Sequence, residues 1–158
     1  MMKGKAVVIS LSDHFAEARK SITGAMLMRA ALAGGFVIET HAKINVSRGR
    51  PGLAVDTGNL VNSIGTVPGK LTTTFAEAEV GTGVEYAAIH EFGGVILPLR
   101  AKMLSWITDG GERVFAKMVQ IPARPYMRPA ADEHLPDIKR AVERQIKDQL
   151  ATAAPYAK

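Results

Sequence analysis

Apolar residues recur at steps of three and four near both ends of the chain, and this periodicity constrains the fold more than any other feature. Phe15, Ala18, Ile22, Met26, Ala30, Ala33, Val37, Thr40 and Ile44 share one helical stripe, and Leu135, Ile138, Val142, Ile146 and Leu150 share a second. Glycines interrupt the first stripe at Gly24 and at Gly34-Gly35. This predicts a short helix, a break near Thr23-Gly24, and a longer helix ending near Asn45. Ahead of it, Lys5 to Ser10 reads as a short strand, and Ser10 with Asp13 has the spacing of a helix-start capping pair. The second stripe predicts a terminal helix over 131–150. An exposed apolar stripe is uncommon on a soluble monomer, so the domain's own sheet is its expected cover, with a neighbouring subunit as the alternative.

Between the stripes, short signals predominate. Ser47-Arg48-Gly49-Arg50-Pro51-Gly52 is loop chemistry, and a mobile loop is expected over about 47–55. Asp56-Thr57 can cap a one- or two-turn helix that puts Leu60 and Ile64 on the same side. A Pro68-Gly69 turn is expected before a strand over 72–80, in which Phe75, Glu77 and Glu79 share one parity and leave the inner face open. Tyr86 to Phe92 reads as a short helix anchored in the core by Tyr86 and Phe92, and stopped by Gly93-Gly94. Val95 to Leu97 is extended. A hairpin is expected around Asp109-Gly110-Gly111, joining 104–107 to 114–119. Pro122, Pro125 and Pro129 make a restricted, non-helical connector into the terminal helix. The tail 151–158 lacks a stripe and is expected to fray. The class is α+β: an N-terminal strand and helices, a small antiparallel sheet with a short helix, and a C-terminal amphipathic helix, in one structural domain over 1–158.

Composition narrows the function. The chain has 158 residues, 47% hydrophobic and 22% charged, which suits a folded domain that buries roughly 70% of its unfolded surface. It has no cysteine, which removes disulfides, thiol nucleophiles and thiolate metal sites together. No apolar run reaches the roughly 20 residues of a membrane span, and none near the start suits a secretory signal, so a soluble, unexported protein is expected. The net charge of +5 is laid out in alternating blocks. Residues 1–55 carry 8 basic and 3 acidic side chains, and residues 56–93 carry 1 and 5. Residues 94–131 then carry 6 and 2, and residues 132–158 carry 5 and 5. Blocks of unlike sign suit copies that meet through unlike surfaces, although chance clustering on a solvated surface gives the same pattern.

The catalytic signatures fail. Gly65 to Leu71 is one residue short of a phosphate loop and has Leu71 where a metal-binding hydroxyl must follow the lysine. Gly81-Thr82-Gly83 lacks the third glycine of a dinucleotide fingerprint. His90-Glu91 has no second histidine four residues on, and no Gly-x-Ser-x-Gly elbow is present. His14, His41, His90 and His134 are scattered in sequence, and only the fold could gather them. No enzyme activity and no cofactor are expected.

What remains is an ordered set of local signatures. Asp56-Thr57-Gly58-Asn59-Leu60-Val61-Asn62-Ser63-Ile64 is followed by Val80-Gly81-Thr82 with Tyr86-Ala87, and then by His90-Glu91-Phe92-Gly93-Gly94. Ala101-Lys102-Met103-Leu104, Val114-Phe115-Ala116-Lys117 and Ile121-Pro122-Ala123-Arg124-Pro125-Tyr126-Met127-Arg128-Pro129-Ala130 complete the set. Over about residues 52–131 the order resembles the bacteriophage tail-completion and virion-morphogenesis proteins of lambda-like and Mu-like phages. Two departures stand out: a longer, more basic approach to Asp56 and a short segment between Ser105 and Glu112.

The resemblance implies a non-enzymatic virion protein, assembled in the host cytoplasm, that forms a hexameric ring at the head–tail junction. Its partners would be further copies of itself and the adjacent neck, connector and tail-tube proteins. DNA would pass non-specifically through the lumen, and no membrane is involved. The negative segment 56–93 would meet 1–55 or 94–131 of a neighbour. His90 reads as a satisfied, half-buried histidine rather than a ligand. Arg124 and Arg128 flank Tyr126 on a proline-stiffened loop. They either pair within the chain, with Glu91 the nearest motif carboxylate, or make a two-point contact to a carboxylate of the adjacent subunit. A second reading is a small, basic, prophage-encoded nucleic-acid-binding protein using Lys3, Lys5, Arg19, Lys20, Arg48 and Arg50 on phosphates. Only 6% of residues are aromatic, none of them interleaved in that basic region, and no DNA-reading motif supports it.

Overall fold

The structure, a computed structural model, describes residues 7–8, 23–48, 53, 58–108 and 110–153. In chain order the elements are β1 (Val7–Val8), α1 (Gly24–Ser47), α2 (Asn59–Ser63), β2 (Gly65–Leu71), β3 (Ala76–Gly81), α3 (Ala87–Phe92), β4 (Gly94–Ile96), β5 (Leu104–Ile107), β6 (Arg113–Ala116), β7 (Val119–Ile121), α4 (Met127–Asp132) and α5 (Leu135–Ala153). The class is α+β, as expected. The chain forms two compact units, one of residues 1–84 with 126–158 and one of residues 85–125.

In the first unit, α1 begins at the expected break. Thr23 is its N-cap, and its hydroxyl accepts from the Met26 backbone N–H. The helix runs unbroken through Gly34-Gly35 to Ser47 and packs on α5, α4, β2 and β3. The buried residues are Leu27, Ala30, Ala31, Gly34, Gly35, Ile38, Ala42 and Val46; Ala30 of the expected stripe is in the core, while Thr40 and Ile44 of that stripe face solvent. Covering by the sheet on one side and by helices on another buries more than one stripe, so a single periodicity picked the wrong edge. Gly35 explains why glycine is tolerated in mid-helix. A Cβ there would lie 2.5 Å from Thr66 Cγ2 and 3.3 Å from Ala78 Cβ, so its absence lets α1 lie close on the sheet.

That sheet is antiparallel in the order β1-β3-β2. Ala76, Ala78 and Val80 point into the core, which puts Glu77 and Glu79 on the opposite face. Pro68-Gly69 is not the expected turn. β2 continues through it with a register shift between Pro68 and Leu71, and the reversal is made by Thr72 to Phe75. β2 is an edge strand, where a missing N–H can face away from the ladder. Gly58 occupies the N-cap of α2, with φ 76° and no side-chain cap. Leu60 and Ile64 are buried as expected.

The connector after Pro125 is helical rather than extended, because Pro129 sits in the first turn of α4, where its missing N–H has no intrahelical role. Ile138, Val142 and Ile146 of α5 are buried, and Val142 and Ile146 cluster with Ala30 of α1, so the terminal stripe packs within its own unit, on α1 rather than on the expected sheet. Leu135 departs from the stripe and is exposed. Residues 151–153, expected to fray, continue the helix.

In the second unit, β4 pairs with β7 and β5 pairs with β6, both antiparallel. The expected hairpin is present, but Val119 leaves it to pair with β4. Tyr86 and Phe92 are exposed, not core anchors; the buried residue of α3 is Ala87. The expectations for the Ser10–Asp13 capping pair, the first short helix and Asp56-Thr57 fall outside the described residues. So do most of the 47–55 loop, residues 154–158, and Lys3, Lys5, Arg19, Lys20 and Arg50.

Candidate assembly surface

The sequence signatures meet in pairs. In the first unit, the Ser63 and Thr82 hydroxyls hydrogen-bond at 2.6 Å, and the Val84 N–H donates to Thr82 Oγ1 at 3.2 Å. The end of the first signature is thereby joined to the second, while Gly81 lies exposed beside them at the end of β3. In the second unit, the Arg124 N–H donates to the His90 carbonyl at 2.7 Å. Gly93, at φ 71°, lets that same junction close, because a Cβ there would lie 2.8 Å from the Ala123 nitrogen and 3.0 Å from the Ile121 carbonyl. Pro122 and Pro125 hold the strand on either side of this bond exposed and non-helical.

Tyr126 and Arg128 belong to the first unit. Tyr126 is buried, and its carbonyl accepts from Asn45 Nδ2 at 3.0 Å, which ties the proline segment to α1. The Arg124 and Arg128 side chains are both exposed, and Glu91 is half-buried. His90 is half-buried as expected, with Tyr86 edge-on at 5.8 Å, but it is not satisfied, since its buried Nδ1 has no hydrogen-bond partner among the described residues. Burial, and then the Arg124 charge, hold its pKa below the usual histidine value. Its ring therefore favours the neutral form.

The fold does gather two of the scattered histidines. His41 of α1 and His134 stack with ring centroids 3.3 Å apart and 12° between planes, and Asp137 lies 3.4 Å from His134 Nδ1. Ligand atoms of the three fall within 4.8 Å of one another. Near-parallel rings direct their lone pairs in parallel planes, so a shared ion would need one ring to turn. Asp137 is also paired with Arg140. The two rings pack where α1 meets the turn before α5; burial first, then His134 and Arg48, hold the His41 pKa down against the opposing pull of Asp137.

Sequence reasoning missed the exposed apolar surface of the second unit. Tyr86, Phe92, Val95, Ile96, Leu97, Leu99, Met103, Trp106, Ile107, Phe115 and Met118 are all exposed, with Leu99 at 98%. The available signal was the hairpin itself: 104–107 and 113–116 put apolar side chains on both faces of a two-stranded ribbon, which cannot bury both alone. Among the described residues no helix is long and apolar enough to cross a membrane.

No curated protein and no solved structure matches the chain. A family model does match, over residues 39–153, which takes in α1 from Glu39 onward, every later element and all the ordered signatures. The chain belongs to the phage virion morphogenesis family.

Proposed function

We infer that this protein is a non-enzymatic structural subunit of a tailed-phage virion that forms a ring at the head–tail junction and completes the tail. The observation that carries this reading is the concentration of exposed large apolar side chains in residues 85–125, in a member of a virion-morphogenesis family. An apolar surface of that kind calls for protein partners. Copies joined through unlike surfaces close into a ring when the rotation between them closes, and the resemblance to lambda-like and Mu-like tail-completion proteins makes that ring a hexamer. Connector, tube and other neck proteins would meet its two rims, and DNA would pass through the lumen without base-specific contact. Glu91, Arg124 and Arg128 are candidate contacts between subunits.

Negative-stain imaging of the purified protein, alone and mixed with tails lacking it, tests the reading. Rings in solution or capping the tail tube are expected, and Arg124→Lys should reduce them, because an ammonium does not reproduce the two-point guanidinium fork. A protein that stays monomeric in both settings and leaves tails unable to join heads overturns the ring.

A further inference from the structure

On the ring reading, on which this assignment rests, one surface of each copy must meet a different surface of the next. The second unit offers one half. In the β5–β6 ladder Ser105 lies opposite Phe115 and Ile107 opposite Arg113, so these four share one face. All four are exposed, Ile107 at 63% and Phe115 at 57%. On the opposite face Leu104, Val114 and Ala116 are half-buried and Trp106 is exposed at 41%, less than either Ile107 or Phe115. Arg113 stands two residues before Phe115, and the exposed Lys117 two residues after it. No described carboxylate pairs with either cation.

The first unit offers the other half. The outer face of β2–β3 carries Glu77 and Glu79, with the exposed Val67 opposite Glu79 in the ladder. Gly69 lies beneath the two carboxylate stems: a Cβ there would sit 3.0 Å from Glu77 Cβ and 3.3 Å from Glu79 Cγ. The glycine keeps this face low and flat. No described cation pairs with Glu77 or Glu79.

We propose that the Ile107–Phe115 face of the β5–β6 ribbon packs on the outer β2–β3 face of a neighbouring copy, over Val67, with Arg113 and Lys117 paired to Glu77 and Glu79. Charge complementarity selects a second copy as the occupant. Among the described residues the ribbon carries cations without a carboxylate partner and the sheet face carries carboxylates without a cation partner, and flat sheet faces stack at about 10 Å. The joint is head-to-tail, so a closed ring leaves neither half uncovered.

Charge reversal on one half at a time tests this in the full-length protein. Glu77→Lys with Glu79→Lys, and separately Arg113→Glu with Lys117→Glu, should each weaken self-association about tenfold or more, read by sedimentation velocity and negative stain. An equimolar mixture of the two variants should recover rings, because each reversed half then meets a complementary one in strict alternation. Thermal melts matching the wild type show that the variants are folded; if a double reversal melts early, Phe115→Ser supplies the ribbon arm instead and should also weaken association. Wild-type rings with either variant still associating normally overturn the assignment while leaving the ring reading intact, as does a mixture that stays apart. Loss confined to the ribbon variant, with the sheet variant unaffected, overturns it in favour of a different surface of the neighbouring copy beneath the ribbon. A wild type that forms no ring alone or on tails overturns the ring reading itself.

Discussion

The two compact units of this chain solve the problem of apolar surface in opposite ways. In the first, α1 is covered by the sheet, α4 and α5, and Ala30, Ala31, Ile38 and Ala42 reach zero exposure. In the second, Ala87 is the only apolar residue among those described that counts as buried. That second unit nevertheless holds eleven of the sixteen large apolar side chains that stand exposed among the described residues. Its short strands pair only two by two, which leaves each ribbon with a face that no third strand or helix of the same unit covers. The first unit therefore holds most of the buried core, and the second holds the exposed apolar surface on which the proposed assembly rests.

The most severe break of this contrast is removal of residues 131–158. Because Ile138, Val142 and Ile146 are buried in the first unit, the truncated chain should lose its cooperative unfolding transition in a urea or thermal melt. If it unfolds cooperatively and fails only to assemble, α5 is an interface arm and the contrast is misdrawn.

Next in size is a matched pair of truncations. Ile38→Ala, at a fully buried position, should cost about 2–5 kcal/mol of unfolding free energy. Phe115→Ala should change the stability of the dissociated chain by no more than about 0.5 kcal/mol while reducing self-association. Equal losses from the two would erase the distinction between units.

A smaller effect is expected at the glycines. Gly35→Ala should destabilise by about 1–3 kcal/mol, since the new Cβ meets Thr66 Cγ2 and Ala78 Cβ. Gly81→Ala, with nothing within 4 Å of its added Cβ, should stay within about 0.5 kcal/mol.

The least effect is that of pH. The His41 pKa is held down in the folded chain, by burial before charge. Unfolded, the group titrates near about 6.5, so between the two values the unfolded chain binds more protons and stability rises with pH. The contribution is complete above about pH 6.5 and is lost as acidification passes through the lower folded value. Glu39 works in a lower window. Burial pushes its carboxyl up, but Lys43, at 2.6 Å, and Thr66 outweigh burial and hold it below the ordinary glutamate value. His90 is held down in the second unit by burial and Arg124, and has the same sign as His41. Urea midpoints between about pH 5 and 7 should therefore fall with acid, and His41→Gln should flatten part of that slope. An unchanged slope would remove the stacked pair from the account.

Local periodicity and punctuation were enough to read the α+β class, the break at Thr23, the terminal stripe, the hairpin and the Gly93 stop. Each of these is fixed within a few residues, by the helical repeat, a capping hydroxyl or a positive φ that glycine tolerates. The ordered signatures were legible too, because their residues bond to one another, as Ser63 to Thr82 and Arg124 to the His90 carbonyl. Other features depended on what came to lie alongside. The buried side of α1 depended on the sheet approaching at Gly35. The inner face of β3 depended on which parity met α1, and Pro68-Gly69 became strand because β2 lies at an edge. Tyr86 and Phe92 have the same apolar character as core residues, and only the folded chain shows that nothing in their unit covers them. A side chain's hydrophobicity is a local property; whether it is buried depends on the segments that fold against it, and those lie far away in sequence.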